Sequence, residues 1–112
     1  VPDQPQPVFT YLTGLSAPND DDTGERPKVT RIHRSDSETV VRIAFRAGQV
    51  MAEHLAAHPI LVLGQSGAIE FTVDGQTVRL EPGTAIRVNA RTHHSLRATT
   101  DGTVTLVIVH GQ

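Results

Sequence analysis

No cysteine occurs in the chain, and that one absence removes disulfides, thiolate catalysis and cysteine-built zinc sites together. Strong metal ligands are then limited to histidine and the carboxylates. Charge of one sign is missing as well: a net charge of −2 gives no reason to expect nucleic acid or an anionic membrane as a partner. No apolar run approaches the length of a membrane span and no charged-then-apolar leader opens the sequence, so the expectation is a soluble, cytoplasmic protein. No segment carries a convincing long helix. What is present, in 112 residues, is room for one domain with one core, and six histidines within it.

Residues 1–27 divide from the rest. Val1 to Pro7 is too rich in proline for a helix or a central strand and reads as an extended arm. Val8 to Leu15 has β-branched and aromatic character and reads as a first strand; Ser16 to Pro27 is an acidic, turn-rich loop. Its triplet Asp20, Asp21 and Asp22 lacks the interleaved oxygen ligands and closing glutamate of a calcium loop, and reads as solvated. Residues 28–112 read as the folded barrel.

In that barrel, short alternating runs follow one another between turn residues. Lys28 to Arg34, Glu38 to Arg46, Ile60 to Leu63, Ala68 to Asp74, Gln76 to Glu81 and Thr103 to His110 are strand candidates, with Ile69, Phe71, Val73, Val78 and Leu80 facing inward. Asp74-Gly75 is a strong hairpin signal. Gln49 to Pro59, which carries His54 and His58, is neither cleanly alternating nor helical. Strands at this spacing predict an all-β protein, a jelly roll or similar double sheet whose interior is filled or holds one small ligand.

Pro82 to Ala98 carries the clearest pattern. Ile86, Val88, Ala90, Thr92, His94, Leu96 and Ala98 are apolar or small with the single exception of His94, while polar residues stand between them. An imidazole on the inward face needs a partner for its ring nitrogens, since an unsatisfied buried polar group costs roughly 1–3 kcal/mol. His54 and His58 are candidates to converge with it. Three neutral imidazoles suit a divalent transition metal such as iron, zinc, nickel, copper or manganese better than magnesium or calcium. His93 points the other way along an extended strand, and His33 and His110 lie on other strands.

From Gly48 to Ala98 the chain resembles the cupins, small jelly-roll proteins with two sequence motifs. In the first motif a glycine is followed at set spacing by two histidines, a glutamate and a closing glycine; Gly48, His54 and Gly67 match it, while Ala56 and Ile60 stand at the second histidine and the glutamate. In the second motif Gly83 and His94 match, and Asn89, Arg91 and Ala98 occupy the proline, glycine and asparagine positions. The resemblance implies metal ligation by His54 and His94. A small shift of the loop would let His58 complete a three-histidine site, like that of cupins without the glutamate, some of which are iron dioxygenases.

Two functions follow as expectations. One is a metal-binding cupin that binds or transforms a small molecule through His54, His58 and His94, with dioxygenase-like or isomerase-like chemistry. The other is a non-catalytic binding cupin with a metal-free apolar pocket lined by Phe45, Ile69, Phe71, Ile86, Val88, Leu96 and Leu106. No inward residue is a clear general base, so no catalytic residue is assigned. The resemblance also implies a homodimer, with the arm or an early strand meeting the partner.

Overall fold

Alternating sequence becomes paired strand wherever a neighbour is available to complete the backbone hydrogen bonds, and the computed structural model describes residues 8–20 and 24–110. Val1 to Pro7, Asp21 and Asp22 lie outside the described residues. Among those described, the secondary structure is all β: β1 (Lys28–Arg34), β2 (Glu38–Phe45), β3 (Val50–His54), β4 (Ile60–Ser66), β5 (Ile69–Val73), β6 (Gln76–Leu80), β7 (Ala85–Val88), β8 (His94–Ala98) and β9 (Gly102–Val109). They form two antiparallel sheets, ordered β1-β2-β9-β4-β7 and β3-β8-β5-β6, stacked as a jelly-roll sandwich. No helix is long and apolar enough to cross a membrane among the described residues.

The inner faces are the apolar alternates of each strand. Phe45, Ile69, Phe71, Leu80, Leu96 and Val104 are each at most 1% exposed and form the packed end of one core. Each such side chain contributes about 1.5–3 kcal/mol by leaving water. Asp74-Gly75 turns β5 into β6 with φ of 52° and 72°, the left-handed pair that a two-residue hairpin needs. Val78 faces Phe71 across that hairpin yet stays 40% exposed, because β6 is the edge of its sheet. Where the chain leaves β4 at Ser66-Gly67 it meets Asp101-Gly102 entering β9. A Cβ on Gly102 would lie 2.4 Å from the Ser66 carbonyl oxygen, so only glycine fits that crossing.

Three sequence expectations change. Val8 to Leu15 forms no strand: Val8, Phe9 and Tyr11 are exposed, and the segment is held further on, where Asn19 Nδ2 donates to the Ala44 carbonyl at 3.1 Å and the Arg42 guanidinium donates to the carbonyls of Ala17 and Pro18. β-like composition does not make a strand without a ladder partner. Conversely, Val50–His54 is a strand although it does not alternate, because it pairs with β8 alone and its other edge is open. Finally, Pro82 to Ala98 is two strands in different sheets. Arg91 breaks it with φ 59°, its amide donating to the Ala56 carbonyl at 2.7 Å. The even residues still face inward on both sides of the break, since β7 and β8 present opposite sheets to the same interior.

Candidate functional site

β3 and β8 bring two of the candidate histidines together. His54 and His94 are cross-strand partners in the register of the two strands, just beyond an irregularity between Met51 and His54. Their ring centroids are 4.3 Å apart and the rings meet edge to face. On its other side His94 stacks on Phe71 at 5.4 Å, which joins the pair to the packed core. His94 is 3% exposed, so the inward position read from strand parity is where the side chain sits.

Backbone carbonyls orient both rings. His54 Nδ1 lies 2.7 Å from the Ala52 oxygen and His94 Nδ1 lies 2.9 Å from the Thr92 oxygen. A carbonyl oxygen accepts only, so each Nδ1 carries the proton it donates, and each neutral ring keeps its lone pair on Nε2. Burial pushes His94 below the ordinary histidine value; the Thr92 carbonyl opposes this, and the neighbouring His54 and His93 add to it. His93 itself points outward, with Nδ1 3.3 Å from Glu53 Oε1 on the solvent face of the same two strands.

The pair closes one wall of a cavity of about 240 Å³ between the sheets. Val41 and Ile43 of β2, with Leu106 and Ile108 of β9, form the facing wall. Val29, Met51, Ala56 and Ile60 complete the lining. A second groove, of about 430 Å³, runs along the open edges of β1 and β3 past Arg26 and Val50 and shares Val29 and Met51 with the first, so those two side chains stand between the cavity and solvent. Of the pocket residues expected from sequence, Leu106 lines this cavity. Phe45, Ile69, Phe71, Val88 and Leu96 are in the closed core, and Ile86 packs against it. Sequence reasoning missed Val41, Ile43 and Ile108 as lining residues; their alternation along β2 and β9 is the signal that could have found them, although it does not tell which end of the interior stays open.

His58 is elsewhere. The chain bends at Ala57-His58 and Pro59 leads directly into β4, whose pairing with β9 sets Ile60 opposite Ile108, and His58 comes to lie 5.1 Å from His110, ring centre to ring centre. His110 Nε2 is 2.6 Å from the Thr39 hydroxyl, and His58 Nδ1 is buried without a hydrogen-bond partner. Nearby, His33 Nε2 is 3.7 Å from Glu38. Hydrogen bonds from Ser35 and then Ser37 hold the Glu38 carboxyl below the usual carboxylate value.

The metal implied by the cupin resemblance can be tested against these donors. Three protein ligands are the minimum for a catalytic zinc-type site. The structure gathers two imidazoles, the cavity lining adds no carboxylate, and among the described residues no group of three histidine, aspartate or glutamate side chains is placed to hold a metal ion. In this arrangement the residues do not by themselves fit a metal.

Comparison with known proteins gives a consistent picture. The family described as "Cupin domain" matches residues 41–110. No curated protein matches. Among solved structures, an RmlC-like cupin protein from Desulfovibrio desulfuricans superimposes with a TM-score of 0.78 at 26% identity, covering 90% of this chain and 96% of the other. KdgF from Halomonas sp. gives a TM-score of 0.73 at 22% identity, covering 82% of this chain and 87% of KdgF. A variant of salicylate 1,2-dioxygenase from Pseudoaminobacter salicylatoxidans gives 0.70 at 19% identity over 74% of this chain and 26% of that longer one.

Proposed function

The chain belongs to the cupin family, and from that premise we propose that it is a small-molecule binding cupin whose ligand occupies the cavity between the sheets, with His54 and His94 as its polar end. The observation that carries this reading is the cavity itself: about 240 Å³ walled by aliphatic side chains and closed by two oriented imidazoles. Apolar cavities of about 150 Å³ already take a benzene molecule, so the space suffices for a compact organic ligand. Access runs past Val29 and Met51 along the groove between β1 and β3.

A second reading keeps the divalent metal, held by His54, His58 and His94, with dioxygenase-like or isomerase-like chemistry. One observation supports it: Nδ1 bonded to a carbonyl with Nε2 left free is also how metal-binding histidines are held. It requires His58 to leave His110 and join the other two.

NMR titration of chelator-washed protein with benzene and toluene is the test. Shifts confined to the methyl groups of Val41, Ile43, Leu106 and Ile108 are expected. A cavity that takes neither probe, in protein that copurifies with one equivalent of iron, nickel or zinc lost in His54→Ala and in His94→Ala, overturns this reading in favour of the metal. The reading also includes a homodimer, supported by Val8, Phe9 and Tyr11, which stand exposed in the segment that follows the arm; a monomer by light scattering removes that part alone.

A further inference from the structure

The histidine pair presents two acceptors for which the lining side chains supply no donor. Each Nδ1–H is committed to a backbone carbonyl, so both rings offer Nε2 as an acceptor. Two lone pairs cannot satisfy one another, although the rings are only 4.3 Å apart. The remaining lining side chains are those of valine, isoleucine, leucine, alanine and methionine, none of which donates a hydrogen bond. Neither Nε2 is sealed from solvent, so water is the donor in the empty cavity and a ligand that fills it has to replace that hydrogen bond.

We infer that the cavity selects a small neutral molecule bearing a hydroxyl donor on an apolar body, of the phenol or compact alcohol class, with the hydroxyl given to Nε2 of His54 or His94. This rests on the reading of the cavity as a ligand site and names the ligand's chemistry. Charge leads to the same class. No lysine or arginine lines the cavity, so a carboxylate of the same shape would lose its hydration and gain no counter-ion. A purely apolar molecule of that shape would displace water from both acceptors and leave them unpaired.

Three probes of similar shape separate the alternatives: phenol, toluene and benzoate, titrated into chelator-washed protein and followed through the cavity methyl groups. Phenol is expected to bind about tenfold more tightly than toluene, the worth of one hydrogen bond at the upper end of its range, and benzoate more weakly than either. Toluene binding as tightly as phenol, or benzoate binding best, overturns the inference and leaves the cavity as a ligand site. Binding of none of the three removes both. Phenol binding that occurs only after iron or zinc is restored overturns it as well, since the metal would then be the acceptor. The double variant His54→Phe, His94→Phe keeps ring volume and is expected to abolish phenol's advantage while retaining toluene; an advantage that survives counts against the pair. Should that variant not fold, the ¹⁵N shifts of the wild-type imidazoles decide, because a predominant Nε2–H tautomer is incompatible with the assignment.

Discussion

The interior of this sandwich has two ends built from the same kind of residue, and they behave differently. Around Phe45, Ile69, Phe71 and Leu80 the sheets close on each other, and these side chains are at most 1% exposed. Around Val41, Ile60, Leu106 and Ile108 a cavity remains, with His54 and His94 on its wall. The packed end is crossed by backbone at contact distance, at Ser66-Gly67 and Gly102, whereas the open end is bounded by the unpaired edges of β1 and β3. The difference shows how the fold divides labour: close packing at one end fixes the register that sets His54 opposite His94 at the other.

The sharpest test of that division is to cut into each end. Phe71→Ala is expected to cost about 3–5 kcal/mol, since it empties the packed end and removes the ring on which His94 stacks. Met51→Ala, on the half-exposed cavity wall, is expected to cost under about 1.5 kcal/mol in the same denaturant titration. Equal costs would mean that the cavity end is as tightly packed as the other, and the contrast would be lost.

Backbone substitutions sharpen it next. Gly102→Ala places a Cβ 2.4 Å from the Ser66 carbonyl oxygen and is expected to destabilise by about 1–3 kcal/mol. At the open end the sign reverses: Arg91 holds φ 59°, a left-handed conformation that glycine adopts without strain, and Arg91→Gly is expected to stabilise by up to about 1 kcal/mol. Thermal denaturation of the two variants reads both signs.

The smallest effect is one of pH. Because the folded-state value of His94 lies below its unfolded value of 6.5, the unfolded chain binds the proton more readily. The stability attached to His94 is therefore fully present above pH 6.5 and is lost as pH falls through the lower folded value. Urea midpoints measured downward from pH 7 are expected to show this slope in the wild type and to show less of it in His94→Phe. An unchanged slope would place the proton on another group.

Much of the fold was legible because burial in a sandwich imposes a period of two. That period identified the inward residues of β5, β7 and β8, and Asp74-Gly75 marked its hairpin through the backbone angles such a turn requires. β3 was not legible, since an irregularity sets Met51 and His54, three residues apart, on the same cavity wall and breaks the period of two. Val8 to Leu15 erred in the other direction, having strand composition and no strand to pair with. The arginine at the motif's glycine position marks a left-handed turn, yet only the folded backbone reveals that the turn persists there.

The histidines divide along the same line. Sequence alone determined that the chain is an all-β cupin with His94 on its inward face, because strand parity and motif spacing are local properties written in residue order. Tertiary structure alone decided which histidine His94 meets, which is a matter of long-range pairing. β3 laid against β8 brings His54 within 4.3 Å, while β4 laid against β9 carries His58 to His110. Whether an interior position becomes core or cavity wall depends in turn on how closely the two sheets approach at that point, and no single strand encodes that distance.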